Sequence, residues 1–213
     1  MIQLGLSLAA VGIPARGVAD DASNPGTVVF FGDSLAAGYG IDPAAAFPAL
    51  IEQRIRAAGL NFRVVNAGLS GDTTAGGVRR LDWILKRPVD VLILELGGND
   101  GLRGLSVSHT RSNLVTMIQK ARATRPFIRI LIAGMQMPAN LGPDYTREFR
   151  ELFPDIARTQ SVTLIPFLLE GVGGIASLNQ ADQIHPTAEG HRRVATNIWK
   201  VLEGVLKGTP PPR

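Results

Sequence analysis

The chain has 213 residues, 45% of them hydrophobic and 19% charged, with no low-complexity tract, which is enough to bury one sizeable core. Its formal charge of +4 comes from scattered Lys and Arg, with Arg79-Arg80 and Arg192-Arg193 only as pairs, so nothing resembles a basic stripe for nucleic acid. The absence of cysteine excludes a disulfide framework, a thiolate nucleophile and a cysteine-based zinc site.

At the N-terminus, residues 2–13 are apolar and Gly17-Val18-Ala19 offers the small-residue ending that a signal peptidase accepts. The usual basic start is missing, and Arg16 lies beyond the apolar run. Residues 1–19 are expected to be an export signal, giving a periplasmic or secreted protein; the alternative is an amphipathic extension on a cytoplasmic one. No later run reaches the roughly 18 apolar residues that cross a bilayer, so no membrane span is expected.

After a linker at 20–26, strand-like and helix-like patterns alternate. Residues 27–31 form the first strand, and Phe47, Leu50, Ile51, Ile55 and Ala58 follow at helical spacing, with Gly59 placed to stop the helix. A second strand is expected at 62–66 and a helix at 74–85 that buries Val78, Leu81 and Leu85. The third strand, 89–96, is apolar almost throughout, as when helices cover both faces. Leu114, Met117, Ile118 and Ala121 give the next helical stripe, and 128–133 the fourth strand. Tyr145, Phe149, Leu152, Phe153 and Ile156 repeat the stripe, with Pro154 expected to kink or restart that helix. A short fifth strand at 163–166 and a helix at 187–206 complete the chain before a flexible tail, 207–213.

Such alternation implies a parallel sheet with right-handed helical crossovers, hence a three-layer α/β/α sandwich with five parallel strands in one domain over 27–206. In these folds chemistry gathers in the loops after the strands' C-terminal ends. The first such loop is Gly32-Asp33-Ser34-Leu35, the second runs from Asn66 through Gly68 to Thr73, and the third is Gly97-Gly98-Asn99-Asp100. Near the C-terminus stands Asp182-Gln183-Ile184-His185-Pro186.

A serine, a histidine and an acid are what an activated hydroxyl needs: a base to take its proton and a carboxylate to hold the imidazole in one tautomer. Of the three histidines, His109 reads as capping or solvated and His191 as a surface residue inside the last helix. His185 precedes Pro186, which keeps it in a loop, and Asp182 is close enough in sequence to bond its ring. The catalytic candidates are therefore Ser34, Asp182 and His185. The oxyanion formed when Ser34 attacks a carbonyl needs fixed donors, for which the Ser34 and Gly68 backbone amides and the Asn99 side chain are the candidates. Ser70 misses the Gly-x-Ser-x-Gly elbow by one position. No dinucleotide fingerprint or P-loop occurs, and two histidines six apart without cysteine do not match a zinc site, so neither cofactor nor metal is expected.

These blocks, in this order from about residue 28 to 206, resemble the GDSL or SGNH hydrolases, and within them the bacterial arylesterase and thioesterase/lysophospholipase branch. The run from Glu95 to Gly104 and Met137-Pro138-Ala139-Asn140-Leu141-Gly142 support the branch. The resemblance implies a flavodoxin-like strand order 2-1-3-4-5 and cofactor-free serine ester hydrolysis. It also implies that Ser34 is nucleophile and oxyanion donor, that Gly68 and Asn99 complete the hole, and that Asp182 and His185 complete the triad. Gln183 departs from the pattern, since this branch often has Gly there, and residues 100–105 are expected to be mobile by analogy. The expected substrate is a small ester with a short to medium acyl chain, including aryl esters, thioesters or lysophospholipids. The alternatives are an O-acetyl glycan deacetylase and, last, a non-catalytic ester- or glycan-binding module. Met135, Met137, Leu141, Phe167 and Leu168 favour an acyl groove unless they are ordinary core.

Overall fold

A computed structural model describes residues 24–208; the expected export signal at 1–19 and the end of the expected tail lie outside the described residues. Seven α-helices and five strands follow one another as β1 (Gly26–Gly32), α1 (Ser34–Ala37), α2 (Phe47–Ala57), β2 (Phe62–Asn66), α3 (Thr74–Leu85), β3 (Val91–Glu95), α4 (Gly98–Leu102), α5 (Val107–Thr124), β4 (Arg129–Ala133), α6 (Pro143–Thr159), β5 (Thr163–Ile165) and α7 (Ala188–Leu206) among the described residues. The strands pair in parallel in the order β2-β1-β3-β4-β5.

The strand period of two sorts the core into two layers. Val29 and Phe31 of β1, Leu92 and Leu94 of β3, and Ile130 and Ile132 of β4 point to one face, covered by α3, α5 and α6. Val28, Phe30, Val91, Ile93, Leu131 and Ala133 point to the other, covered by α2 and α7. All five residues of β3 are buried, whereas β2, at the sheet edge, keeps its residues half-buried or exposed. Burying each large apolar side chain contributes about 1.5–3 kcal/mol, so the two layers supply most of the driving force.

Of the two outcomes expected at Pro154, a kink or a restart, the restart does not occur, because α6 runs continuously through it. Phe149, Leu152, Phe153 and Ile156 are wholly buried on both sides of the proline, while Pro154 itself is exposed, so the carbonyl it leaves unbonded is on the solvent face. His191 is 1% exposed rather than a surface residue. Its Nδ1 accepts the Phe47 backbone N–H at 3.1 Å, fastening α7 to the start of α2, and the two rings stack with centroids 5.7 Å apart.

The strand order reverses direction at β1: the chain leaves it towards β2 on one side and returns to β3 on the other. A crevice opens outside the C-terminal ends of β1 and β3 at such a reversal, and the first and third candidate loops leave from there.

Candidate active site

Ser34 stands two residues beyond the end of β1, as the first residue of α1. Asp33 makes that short helix start by accepting the Leu35 N–H on Oδ1 at 3.0 Å, and Gly38, at φ +75°, ends it in the left-handed conformation. Arg80 fixes the base of the turn. Its guanidinium lies 3.8 Å from the Phe31 ring centroid and donates to Gly32 O, Ala67 O and Asp72 Oδ2, which ties the loops after β1 and β2 together.

His185 arrives from the other end of the chain. The segment before α7 is shaped by an antiparallel bridge between Asn179 and Pro186, by the Gln180 N–H donating to His185 O at 2.7 Å, and by the Thr187 N–H donating to Leu178 O. Gln180 also reaches across: its Nε2 donates to Tyr39 O at 2.7 Å and to Pro186 O at 3.1 Å, bridging the Ser34 side to the His185 side. The Tyr39 ring leans on the His185 imidazole, centroids 4.6 Å apart.

His185 Nε2 lies 2.9 Å from Ser34 Oγ, and its Nδ1 lies 2.6 Å from Asp182 Oδ2. Asp182 Oδ1 accepts the Ile184 and His185 backbone N–H groups at 2.9 and 3.0 Å, so the loop wraps around the carboxylate. The His185 backbone N–H, then its ring, then the Ile184 N–H hold the Asp182 carboxyl down at about 2. With Asp182 ionised, the imidazole proton belongs on Nδ1, leaving Nε2 as the acceptor that faces the serine hydroxyl.

Besides the Ser34 amide itself, the expected oxyanion donors Gly68 and Asn99 both lie against the turn that carries Ser34, and both have resting acceptors. The Gly68 N–H donates to Asn66 Oδ1 at 2.9 Å, and Asn99 Nδ2 donates to Asp72 O at 2.9 Å and to Asp33 Oδ2 at 3.2 Å. An oxyanion would compete for these hydrogens because a charged acceptor makes the stronger bond, and the longer contact to Asp33 is the easier to give up. Gly68 approaches so closely that an added Cβ would fall 2.3 Å from Ala37 N. Asp100 is 2% exposed and accepts from Thr74 N and Oγ1, while Tyr145 Oη donates to Leu105 O at 2.8 Å; these bonds anchor α4 and the residues after it.

The other candidates divide. Ser70 is exposed, and so is His109 on α5. Met135 and Leu168 belong to the core, and Met137 packs over Gly101 of α4. Of the large apolar side chains that stay exposed, Tyr39 leans on His185, and Leu69, Leu102, Leu105 and Ile184 lie within a few residues of Gly68, Asn99 or His185 in the chain. Gln183 adopts φ +59°, which explains why glycine suits that position. Among the described residues, no group of three or more His, Cys, Asp or Glu could hold a metal ion.

Sequence patterning does not single out Glu95 or Asp33 as chemical groups. Glu95 is wholly buried at the end of an otherwise apolar strand, and that placement was the available signal. Burial pushes the Asp33 carboxyl up to about 6, against the Leu35 N–H and His185.

Residues 30–193 match the GDSL-like Lipase/Acylhydrolase family. Esterase TesA of Pseudomonas aeruginosa is 41% identical over 181 residues, covering 84% of this chain and 89% of that protein. Thioesterase 1/protease 1/lysophospholipase L1 of Escherichia coli K12 is 36% identical over 182 residues, 84% of this chain and 85% of that one. An arylesterase of Vibrio mimicus is 33% identical over 176 residues, 82% and 87% respectively. Among solved structures, AlinE4, an SGNH-hydrolase family esterase, superposes with a TM-score of 0.71 at 40% identity, covering 88% of this chain and 98% of that one.

Proposed function

Because this chain belongs to the GDSL-like lipase/acylhydrolase family and is a serine esterase of the SGNH type, we propose that Ser34 is its nucleophile, His185 its general base and acid, and Asp182 the carboxylate that orients the imidazole. The observation that carries this reading is the continuous chain from Ser34 Oγ to His185 Nε2 at 2.9 Å and from His185 Nδ1 to Asp182 at 2.6 Å.

In the first half-reaction Ser34 Oγ attacks the ester carbonyl carbon as its proton moves to His185 Nε2. The imidazolium is stabilised by Asp182, and the oxyanion takes the Ser34 and Gly68 N–H groups and the Asn99 amide. Collapse breaks the bond to the alcohol, which leaves with the proton from Nε2, and Ser34 keeps the acyl group. Water then repeats the sequence, giving its proton to Nε2, and the acid departs with Ser34 reprotonated. Neutral donors suit the hole, since none adds a net charge that would retain the product acid.

The substrate is a small-molecule ester, and no helix among the described residues is long and apolar enough to cross a membrane. The exposed Leu69, Leu102, Leu105, Tyr39 and Ile184 favour short to medium acyl chains with aryl or alkyl leaving groups over an acetylated sugar, whose polar groups they would leave unpaired. Thioesters and lysophospholipids are the second reading, supported by the name of the Escherichia coli relative. Residues 1–19 direct export in this reading, and mass spectrometry of the protein purified from its native host, finding residue 1 still present, would discard that part.

The test is hydrolysis of p-nitrophenyl esters from acetyl to palmitoyl by the wild type and by Ser34→Ala. Turnover that disappears in the variant, with an optimum at short or medium length, is the expected result. A folded wild type that turns over none of the series, or a Ser34→Ala variant with full activity, overturns the assignment.

A further inference from the structure

The backbone amides of the nucleophile turn are almost all committed. Asp33 N and Ala36 N both donate to Glu95 Oε2 at 3.2 Å, Leu35 N donates to Asp33 Oδ1, and Ala37 N donates to Asp33 O. The Ser34 N–H, in the middle of this run, is left without any of these partners, and it is one of the three proposed oxyanion donors. A single side-chain oxygen thus grips the turn on both sides of the nucleophile.

That side chain is 0% exposed. A carboxylate sealed in such a place calls for a cation. Arg80 is the cation whose charge reaches it, but the Arg80 donors go to Gly32 O, Ala67 O and Asp72 Oδ2 instead. The other charged neighbour is the Asp33 carboxyl, which repels a second negative charge. Glu95 Oε1 finds no hydrogen-bond partner among the described residues, so a proton resting there displaces no donor. Gly32 has no room to give way, because a Cβ there would lie 2.1 Å from Oε2.

We propose that Glu95 is a positioning residue for ester hydrolysis: held as a neutral carboxylic acid, it pins the Asp33 and Ala36 amides so that the Ser34 N–H and Oγ stand ready for the ester carbonyl. The proposal rests on the reading of Ser34 as nucleophile. Neutrality matters to the chemistry, because an ionised carboxylate beneath the turn would oppose the negative charge that builds up on the oxyanion. Burial, followed by the charge on Asp33, pushes the Glu95 carboxyl well above the usual carboxylate range, in the same direction.

Two substitutions separate the parts of the proposal. Glu95→Gln keeps an oxygen for both amides and has no charge, so kcat should stay within about threefold of wild type. Glu95→Leu keeps most of the volume but cannot accept; kcat should fall on the order of tenfold to a hundredfold, less than for deletion of an oxyanion donor, with KM changed by less than about threefold. Affinity for an alkylboronic acid, whose adduct with Ser34 places an oxygen in the hole, should fall with kcat in Glu95→Leu and recover in Glu95→Gln. Glu95→Leu with wild-type kcat would remove the positioning role, and Glu95→Gln as impaired as Glu95→Leu would remove the neutral acid. If Glu95→Leu does not fold, the infrared difference between wild type and Glu95→Gln at pH 7 still decides the protonation: the stretch of a protonated carboxyl must be present in the wild type, and its absence overturns the proposal. An inactive wild type, or an active Ser34→Ala, would instead fault the nucleophile assignment and leave the infrared result standing.

Discussion

Removing the Asp182 carboxylate asks how much of the barrier the imidazolium's partner takes away. With Nδ1 and Oδ2 2.6 Å apart, the centres of charge lie about 4 Å from one another, a separation at which a unit pair attracts by about 4 kcal/mol at an effective dielectric near 20 and by about 1 kcal/mol in bulk water. The Asp182 side chain is 38% exposed and that of His185 18%, so the pair sits between these limits, at about 2–3 kcal/mol. Asp182→Ala should therefore lower kcat by roughly 30- to 150-fold. Asp182→Asn can keep the bonds from Ile184 N and His185 N, but its amide would donate towards Nδ1, fix the proton on Nε2 and turn the base into a donor facing Ser34. It should be no better than Ala, and worse if the loop is rigid. Steady-state hydrolysis of p-nitrophenyl butyrate with folding checked by circular dichroism measures both. A loss below about fivefold in Asp182→Ala would show that the imidazolium finds its counter-charge elsewhere, Asp33 being the buried carboxyl whose charge also reaches His185. Asp182→Asn much more active than Asp182→Ala would refute the tautomer argument.

Stability should bend with pH in two opposing ways. Asp33, raised from 3.8 to about 6, binds its proton more tightly folded than unfolded, so its contribution is full below about 4 and is lost as pH rises through about 6, by up to about 3 kcal/mol; urea unfolding of Asp33→Asn should lack that slope, and a slope equal to wild type would contradict it. His191, held by burial at about 4, does the reverse: its contribution is full above about 6.5 and is lost as pH falls through about 4. His191→Leu should flatten the acid limb of the unfolding free energy and lose about 1–3 kcal/mol at neutral pH by stranding the Phe47 N–H; an unchanged acid limb in that variant would disprove the assignment. Gly68→Ala should be inactive and have a lower melting temperature, because its methyl group meets backbone rather than a yielding side chain, and wild-type kcat in that variant would mean the loop moves freely.

The scaffold was legible wherever one local signal decided it. The second strand and the 74–85 helix coincide with β2 and α3 because sharp polar and glycine boundaries flank their apolar patterns, and the strand order follows the resemblance. Ser34, Asp182 and His185 stand out as candidates because reactive residue types follow a strand end or precede a proline, and the structure brings the three within hydrogen-bond distance. His191 was not legible: its burial depends on an amide 144 residues away, which helical periodicity cannot see. Arg80 read as half of a charged pair, yet it stacks on Phe31 and holds two loops, a role set by tertiary contact. At Pro154 the helix does not restart, because the buried residues on either side of the proline hold one continuous α6 in place.

The bond between Ser34 Oγ and His185 Nε2 joins residues 151 positions apart, and the Gln180 clamp onto Tyr39 spans 141. On the proposed assignment the nucleophile emerges during synthesis long before its base, and β1 can find β2 and β3 while the serine is still an ordinary alcohol. The proposed base reaches Ser34 only when the last segment docks, the same segment in which α7 carries His191 to the Phe47 amide. In that reading a chain that ends before His185 lacks the base, and the appearance of full turnover reports that the last segment has docked.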